Sequence, residues 1–491
     1  MQILLASAEV TPFAKAGGLA DVAGALPSEW HKFGQNPIVI MPKYSSIDVE
    51  KYGFKPTGIV LYVPISIWTE YAALWVGKLP DSNVPVYLIQ NDDYFKRDGI
   101  YGDPVEYLDN DRRFIFFSRA VFEAAKALNF KPDILHAHDF HPAFTMAFLK
   151  SHYKNDYHFI NTAGVYTIHN LAYQGQFNPA RAMEFAGFGM SQFYPGSWFE
   201  KNGSVNAMKT GIMFADKITT VSPTYAKEIR YPYFSEGLQD TLNMRGGDLV
   251  GILNGGYYED WNPKTDKYIY KNYDSSNFKF KLDNKKQFLS DYAPNQTDGL
   301  QKPLVGMVTR LTEQKGIDLL TNILEWYISN DVFSFALVGT GERRYQDYFN
   351  YLAGKYPGKA IVYIGYNEEL SHRTIAACDY LLMPSRFEPC GLTQMYAMKY
   401  GTIPIVRTTG GLADSVIEYQ PQTAKGNGFT FLHYNADDFA YALRRAISIY
   451  DEKPHWDLIR KNAMEEDFSS SRSALEYLKV FKWAMEKVKG I

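Results

Sequence analysis

Short, continuously apolar runs that each hand over to an amphipathic stretch dominate this chain, and they come in two series separated by a polar interval. In the first series "QILLAS", "PIVIM", "PVYLI", "DILHAH", "VYTIH", "KITTV" and "VGIL" read as strands. Unbroken apolar strands suit a parallel sheet covered on both faces, and the helical patterns "GLADVAGALPSEWHKF", "DRRFIFFSRAVFEAAKAL" and "MKTGIMFA" supply the cover. After "NGGYYEDWNP" the chain turns polar over residues 262–302, rich in Lys, Asp, Asn and Tyr. The rhythm then restarts with "PLVGMVTRL", "FSFALVG", "AIVYIG", "DYLLMPS" and "TIPIV", with helices opening near Lys315, Glu342, Glu369, Gly391 and Gly411. At 491 residues the chain is too long for one compact core. The expectation is an α/β protein with two Rossmann-like, doubly wound domains, residues 1–261 and 262–467, facing a cleft. A last helix, about residues 468–491, has Ala474, Tyr477, Phe481, Met485 and Val488 on one stripe, which suits packing on either half, and is assigned to the first.

Charge and targeting signals narrow the function. The formal net charge is −3 and the positive residues form no runs, so nothing tracks a nucleic-acid backbone. No uninterrupted apolar run reaches about 18 residues, and "MQILLASAEV" lacks a basic leader, so no membrane span or export signal is read. Cys378 and Cys390 are too few for a disulfide framework and wrongly spaced for a metal knuckle. A reducing, cytoplasmic setting fits, or a plastid stroma if a transit peptide has been removed. Aromatics make up 16% of the chain, and most are assigned to packing rather than to sugar stacking.

The word GGLAD stands near both ends, within "AKAGGLADVAG" at 14–24 and "TTGGLADSV" at 408–416. Each falls where a strand or loop passes into a helix, where unpaired N–H groups and the dipole favour an anion and glycine admits a close approach. In "VTRLTEQKG", Arg310 and Lys315 lie beside a helix start, as a diphosphate site requires. "LVGTGERR" lacks the third glycine and the acidic ribose anchor of a dinucleotide loop, which disfavours a nicotinamide dehydrogenase. "HAHDFH" places His136, His138, Asp139 and His141 after a strand, but its aspartate comes one place early for a metallo-hydrolase, so hydrogen bonding to a polar substrate is the reading and no metal is assigned. His169 in "YTIHN" ends another strand. "PSRFEPCGLTQMYAMKYGTIPIVRTTGGLADSV" combines the Glu388 carboxylate with glycine turns at Gly391 and at Gly410 and Gly411, a set able to grip a hexose and a phosphate.

"KAGGLADV", "HAHDFH", "YTIHNLAYQG", "FADKITTVSPTYAKEI", "RLTEQKG", "PSRFEPCGLTQMYAM" and "TTGGLADSV" occur in the order seen in bacterial glycogen synthases and plant starch synthases, and the chain resembles that family over essentially its whole length. The resemblance implies a retaining glucosyltransferase of the two-Rossmann GT-B fold. It implies transfer of glucose from a nucleotide sugar, ADP-glucose, to the nonreducing end of an α-1,4-glucan, with no cofactor and no metal. By the same resemblance Lys15, Arg310 and Lys315 neutralise the diphosphate, helped by main chain near Gly17, Gly18, Leu392 and Thr393. Glu388 holds the transferred glucose, with Cys390 and Gly391 beside it, and Tyr366 stacks on the nucleobase. Asp139 and His169 line the glucose site, Asp21 and Asn254 complete it, and Tyr101, His138 and Phe140 belong to the acceptor side.

The chain departs from related patterns in three places. Gly256 and Tyr257 stand where the family has Ile and Asp, Phe140 stands for a Trp, and Tyr396 occupies the second acidic position found in related retaining transferases. A noncatalytic glucan-binding protein on the same fold, or a transferase with another donor or acceptor, are the alternatives.

Overall fold

The computed structural model describes residues 1–102, 105–294 and 299–490; residues 295–298 of the polar interval and residue 491 of the expected last helix lie outside the described residues. The chain divides into two compact units, Met1–Gly255 with Ser470–Ile491, and Gly256–Ser469. The first stretch thus closes at Gly255 and not at 261. Local bonding explains the shift: the Gly256 N–H donates to Phe468 O at 2.7 Å, and the Trp261 ring stacks on His372 at 3.6 Å and on Tyr396 at 4.7 Å, all within the second unit.

In the first unit, β1 (Gln2–Ala6), β2 (Asn36–Pro42), β3 (Lys55–Ile65), β4 (Trp68–Lys78), β5 (Pro85–Gln90), β6 (Ile134–His138) and β7 (Ala163–Ile168) belong to one large sheet. A small antiparallel sheet of β8 (Gln176–Phe177), β9 (Glu200–Lys201) and β10 (Ser204–Asn206) interrupts the series before β11 (Lys217–Thr220) and β12 (Leu249–Gly251) return to the main sheet. Its nine strands run in the order β12-β11-β7-β6-β1-β2-β5-β4-β3. All neighbours are parallel except β5-β4 and β4-β3. That antiparallel hairpin was not among the expected strands. Its outward positions carry Tyr62, Ile67 and Tyr71, all exposed, so the sequence lacks the apolar-polar contrast that reveals a half-buried strand.

The covering helices follow the apolar stripes. Helix Gly18–Lys32 buries Leu19, Val22, Leu26 and Trp30, and helix Asn110–Ala127 buries Phe114, Phe117 and Val121. The last helix, Ser470–Lys489, packs on the first unit through Ala474, Tyr477, Val480, Phe481 and Ala484, with Met485 and Val488 half-buried at its rim. The Trp30 indole N–H donates to Ala474 O at 3.3 Å and its ring lies 5.1 Å from Phe481. Lys487 closes the end of the helix on Asp248 at 2.7 Å.

The second unit is built on β13 (Leu304–Leu311), β14 (Ser334–Gly341), β15 (Ala360–Ile364), β16 (Tyr380–Met383), β17 (Ile403–Arg407) and β18 (Phe429–Phe431), all parallel, in the order β15-β14-β13-β16-β17-β18. This is the doubly wound order, with its direction reversing between β13 and β16. The polar interval contains a helix, Lys281–Tyr292, whose lysines mask its buried face. Lys281 Nζ reaches Ala376 O at 2.8 Å and Thr402 Oγ1 at 2.6 Å, and Lys285 Nζ pairs with Asp379 at 2.7 Å. Burial lowers the Lys281 pKa to about 7. Among the described residues no helix is long and apolar enough to cross a membrane.

Candidate functional site

Each sheet reverses its winding beside its first strand, and the candidate residues collect at those two places. In the first unit the reversal lies between β1 and β6: β1 pairs in parallel with β2 on one side and with β6 on the other. The segment after β1 bends back to the exposed run Lys15–Gly18. Its organiser is Glu9, which the sequence reading missed. The buried Glu9 carboxylate accepts the N–H groups of Ala16 at 2.5 Å and Gly17 at 2.8 Å, and the Tyr101 hydroxyl donates to its other oxygen. The Gly17 N–H, expected to face a phosphate, is therefore engaged from within the unit. Lys15 Nζ is half-exposed and pairs with Asp21 at 2.7 Å, and Asp21 also accepts the Thr11 hydroxyl at 3.0 Å. An exposed pair of this kind contributes about 1 kcal/mol or less, so the ammonium can exchange its carboxylate for a phosphate at small cost.

After β6, Asp139 takes a left-handed φ of 59°, which turns its carboxylate back to accept the His169 N–H at 2.7 Å. Burial raises its pKa from 3.8 to about 7, against the opposing hydrogen bonds from the N–H groups of His169 and Asn170. The native state then binds a proton that the unfolded chain has released between 3.8 and about 7. The stabilisation that Asp139 contributes is lost as pH rises through that window. Urea unfolding of the parent and of Asp139→Asn at pH 5 and pH 8 checks this: the variant is expected to gain stability relative to the parent between the two pH values, and an unchanged difference would place Asp139 elsewhere in the titration.

Two of the three acceptor-side expectations are corrected on this unit. His138 is fully buried with Nδ1 on His169 Nε2 at 2.9 Å and Nε2 on His136 Nδ1 at 3.3 Å, so it has no edge left for a glucan. Phe140 is buried too, its ring 3.8 Å from His141 and so close to Gly175 that a Cβ there would meet it at 2.4 Å. Tyr101, the third, is half-buried, its ring stacked on His141 at 4.5 Å and its hydroxyl held by Glu9. Asn254 is also buried, and its Oδ1 has no partner among the described residues.

In the second unit the reversal lies between β13 and β16. Arg310 stands exposed near the end of β13, and Lys315 follows in a short turn closed by Gly316 at φ 73°. The loop after β16 brings Glu388, which is buried and accepts Lys315 Nζ at 2.6 Å and the Ser385 hydroxyl at 3.0 Å. Gly391 (φ 68°), Leu392 and Thr393 follow and open helix Thr393–Lys399. Gln394 fixes that loop, its amide donating to Gly391 O at 2.8 Å and to Ser415 Oγ at 3.0 Å. Cys390 is buried and in no disulfide, and Tyr366 is 79% exposed after β15. Tyr257 donates its N–H to the Tyr396 hydroxyl at 3.3 Å, and a Cβ on Gly256 would lie 2.9 Å from the Tyr396 ring. The missing side chain at 256 is matched to the tyrosine at 396.

The second GGLAD is not an anion cradle. Gly410 and Gly411 are buried against the Glu388–Cys390 main chain: a Cβ on Gly411 would stand 2.0 Å from Cys390 O, and the Gly411 N–H donates to Glu388 O at 3.1 Å. Around Gly17, by contrast, nothing lies within 4 Å of where a Cβ would be. One copy is open surface; the other is the pad that places Glu388. Among the described residues no three His, Cys, Asp or Glu side chains are grouped to hold a metal ion.

Each unit is thus a doubly wound domain with carboxylates and cations at its winding reversal, and the comparisons with known proteins show the class, a glycosyltransferase of the GT-B fold. The model of the starch synthase catalytic domain matches residues 2–244, and that of glycosyl transferases group 1 matches residues 293–463. Glycogen synthases of Bacillus cereus and of Thermosipho africanus are each 42% identical over 99% of this chain and 100% of their own length. The catalytic domain of starch synthase IV from Arabidopsis thaliana, bound to ADP and acarbose, superposes with a TM-score of 0.89 at 33% identity over 99% of both chains. The chain belongs to the glycogen and starch synthase family.

Proposed function

We propose that this chain transfers glucose from ADP-glucose to the nonreducing-end 4-hydroxyl of an α-1,4-glucan with retention of configuration. The observation that carries the reading is Glu388, a buried carboxylate held by Lys315 at 2.6 Å at the winding reversal of the second sheet. There it is fit to take the hydroxyls of a hexose while Lys315 and Arg310 meet the departing diphosphate. A cation about 4 Å from a phosphate charge contributes roughly 4 kcal/mol at an effective dielectric near 20, before desolvation. Lys15 is assigned to the same diphosphate, Asp139, His169, Asp21 and Asn254 to the glucose, Tyr366 to the nucleobase, and the main chain of Leu392 and Thr393 to phosphate oxygens. With these groups taking the charge, no metal is assigned. The starch synthase relative binds ADP and acarbose, which supports a nucleotide diphosphate and a glucan as ligands here.

No carboxylate is assigned as nucleophile. The acceptor hydroxyl attacks from the leaving-group side, its proton passes to a phosphate oxygen, and the new glycosidic bond forms on the face the diphosphate leaves. Two buried cysteines outside any disulfide suit a cytoplasmic enzyme. The test is transfer from ADP-glucose and, in parallel, from UDP-glucose to maltooligosaccharides, with product lengths resolved. A ladder extended one glucose at a time and released by an α-1,4-specific glucosidase supports the reading and names the donor. No extension with either donor, despite ADP binding, overturns it in favour of a noncatalytic glucan binder.

A further inference from the structure

Three histidines connect the interior of the first sheet to the candidate glucose site in one unbroken line. Thr219 Oγ1 lies 2.6 Å from Thr167 Oγ1, which lies 2.6 Å from His136 Nε2. His136 Nδ1 is 3.3 Å from His138 Nε2, and His138 Nδ1 is 2.9 Å from His169 Nε2. The line crosses the adjacent strands β11, β7 and β6, and every member but His169 has 0% exposure. Trp30, Tyr477 and Phe481 pack on His136 and seal its inner end. The outer end is His169, whose Nδ1 meets no described residue and whose N–H holds Asp139.

Each neutral imidazole carries one proton and one lone pair, so a line of imidazoles must donate all in one direction. Burial keeps all three neutral, lowering His136 and His169 to about 3 and His138 well below its ordinary value. Two directions are then available. If protons point inward, the Thr219 hydroxyl proton ends the line buried, with no acceptor but Thr167 among the described residues. If they point outward, Thr219 donates to Thr167, Thr167 to His136, His136 to His138 and His138 to His169, and every hydroxyl proton is used. A buried hydroxyl donor left without an acceptor is costly, which selects the outward sense.

We propose that His138, backed by His136, Thr167 and Thr219, is a positioning residue that sets the tautomer of His169, so that His169 presents an Nδ1–H donor, and not a lone pair, to an oxygen of the bound sugar. The role rests on the proposed placement of His169 at the glucose site. The tautomer itself does not, and it is measurable without substrate.

Nitrogen-15 NMR of the whole chain labelled at histidine is the test, with the His169 signals assigned by their loss in His169→Gln. His169 is expected as the Nδ1–H form; an Nε2–H form overturns the proposal. His138→Leu removes the donor, and His138→Asn restores one in the place of Nδ1. With ADP-glucose and maltooligosaccharides, His138→Leu is expected to lower kcat about tenfold with little change in KM, and His138→Asn to recover most of it. His138→Leu with unchanged kcat, or both variants equally impaired, overturns it. If His138→Leu fails to fold, the wild-type tautomer decides. If the wild-type chain transfers no glucose, the proposed function fails while the NMR result still stands on its own.

Discussion

Replacement of Glu388 by alanine is expected to leave both units folded and to lower glucose transfer at least about a hundredfold, the scale seen when a positioned polar contact to the reacting group is removed. The carboxylate is buried, but its loss does not strand a charge in the interior, because the Lys315 side chain retains 17% exposure and can turn to water. The Ser385 hydroxyl likewise loses one acceptor in a loop still fixed by Gln394. Circular dichroism and ADP binding should match the parent, with the deficit confined to kcat. Turnover near the parent level would mean that the glucose is held elsewhere and would remove the central assignment of the second unit.

Substitution of Gly411 by alanine is expected to cost about 3 kcal/mol of stability and to depress transfer as well. The added Cβ would meet Cys390 at its carbonyl oxygen (2.0 Å), its Cα (2.5 Å) and its carbonyl carbon (2.6 Å), and main chain cannot swing aside as a side-chain tip can. The displaced segment carries Glu388. Gly17→Ala, in the other copy at the position matching Gly410, where an added Cβ would stand 1.9 Å from Glu388 O, meets nothing within 4 Å and should stay within about 1 kcal/mol, the cost of a poorer helix cap. Denaturant unfolding of the two variants side by side gives the comparison; equal losses would refute the distinction between an open and a packed copy.

That distinction marks where the sequence stops being legible. The motif's letters and its position before a helix are local properties, and both copies do open helices, Gly18–Lys32 and Gly410–Ser415. What lies opposite each glycine is a tertiary property that no window of residues contains. Strands such as Ile134–His138 were readable because burial on both faces leaves unbroken apolar runs, whereas Lys55–Lys78 hid its alternation behind outward-facing Tyr62 and Tyr71. The cations Lys15, Arg310 and Lys315 stood out by charge beside glycine turns. Glu9 did not, since a single acid inside "SAEVTP" shows no sign of the N–H groups it holds seven and eight residues later. The role of His138 was misjudged for a related reason: its place in "HAHDFH" points to chemistry, but His169, one of its two ring partners, comes 31 residues further on.

The return of helix Ser470–Lys489 to the first unit has a consequence for how the polypeptide is made. Residues 1–255 leave the ribosome with Trp30 and His136 bare on one side, and their cover is translated only after the whole of the second unit. At about 5–20 residues per second the wait is on the order of 10–40 seconds, long beside the microseconds in which an apolar surface finds a wrong partner. During that interval the nascent N-terminal half exposes an apolar face, and its maturation waits for residues 470–491.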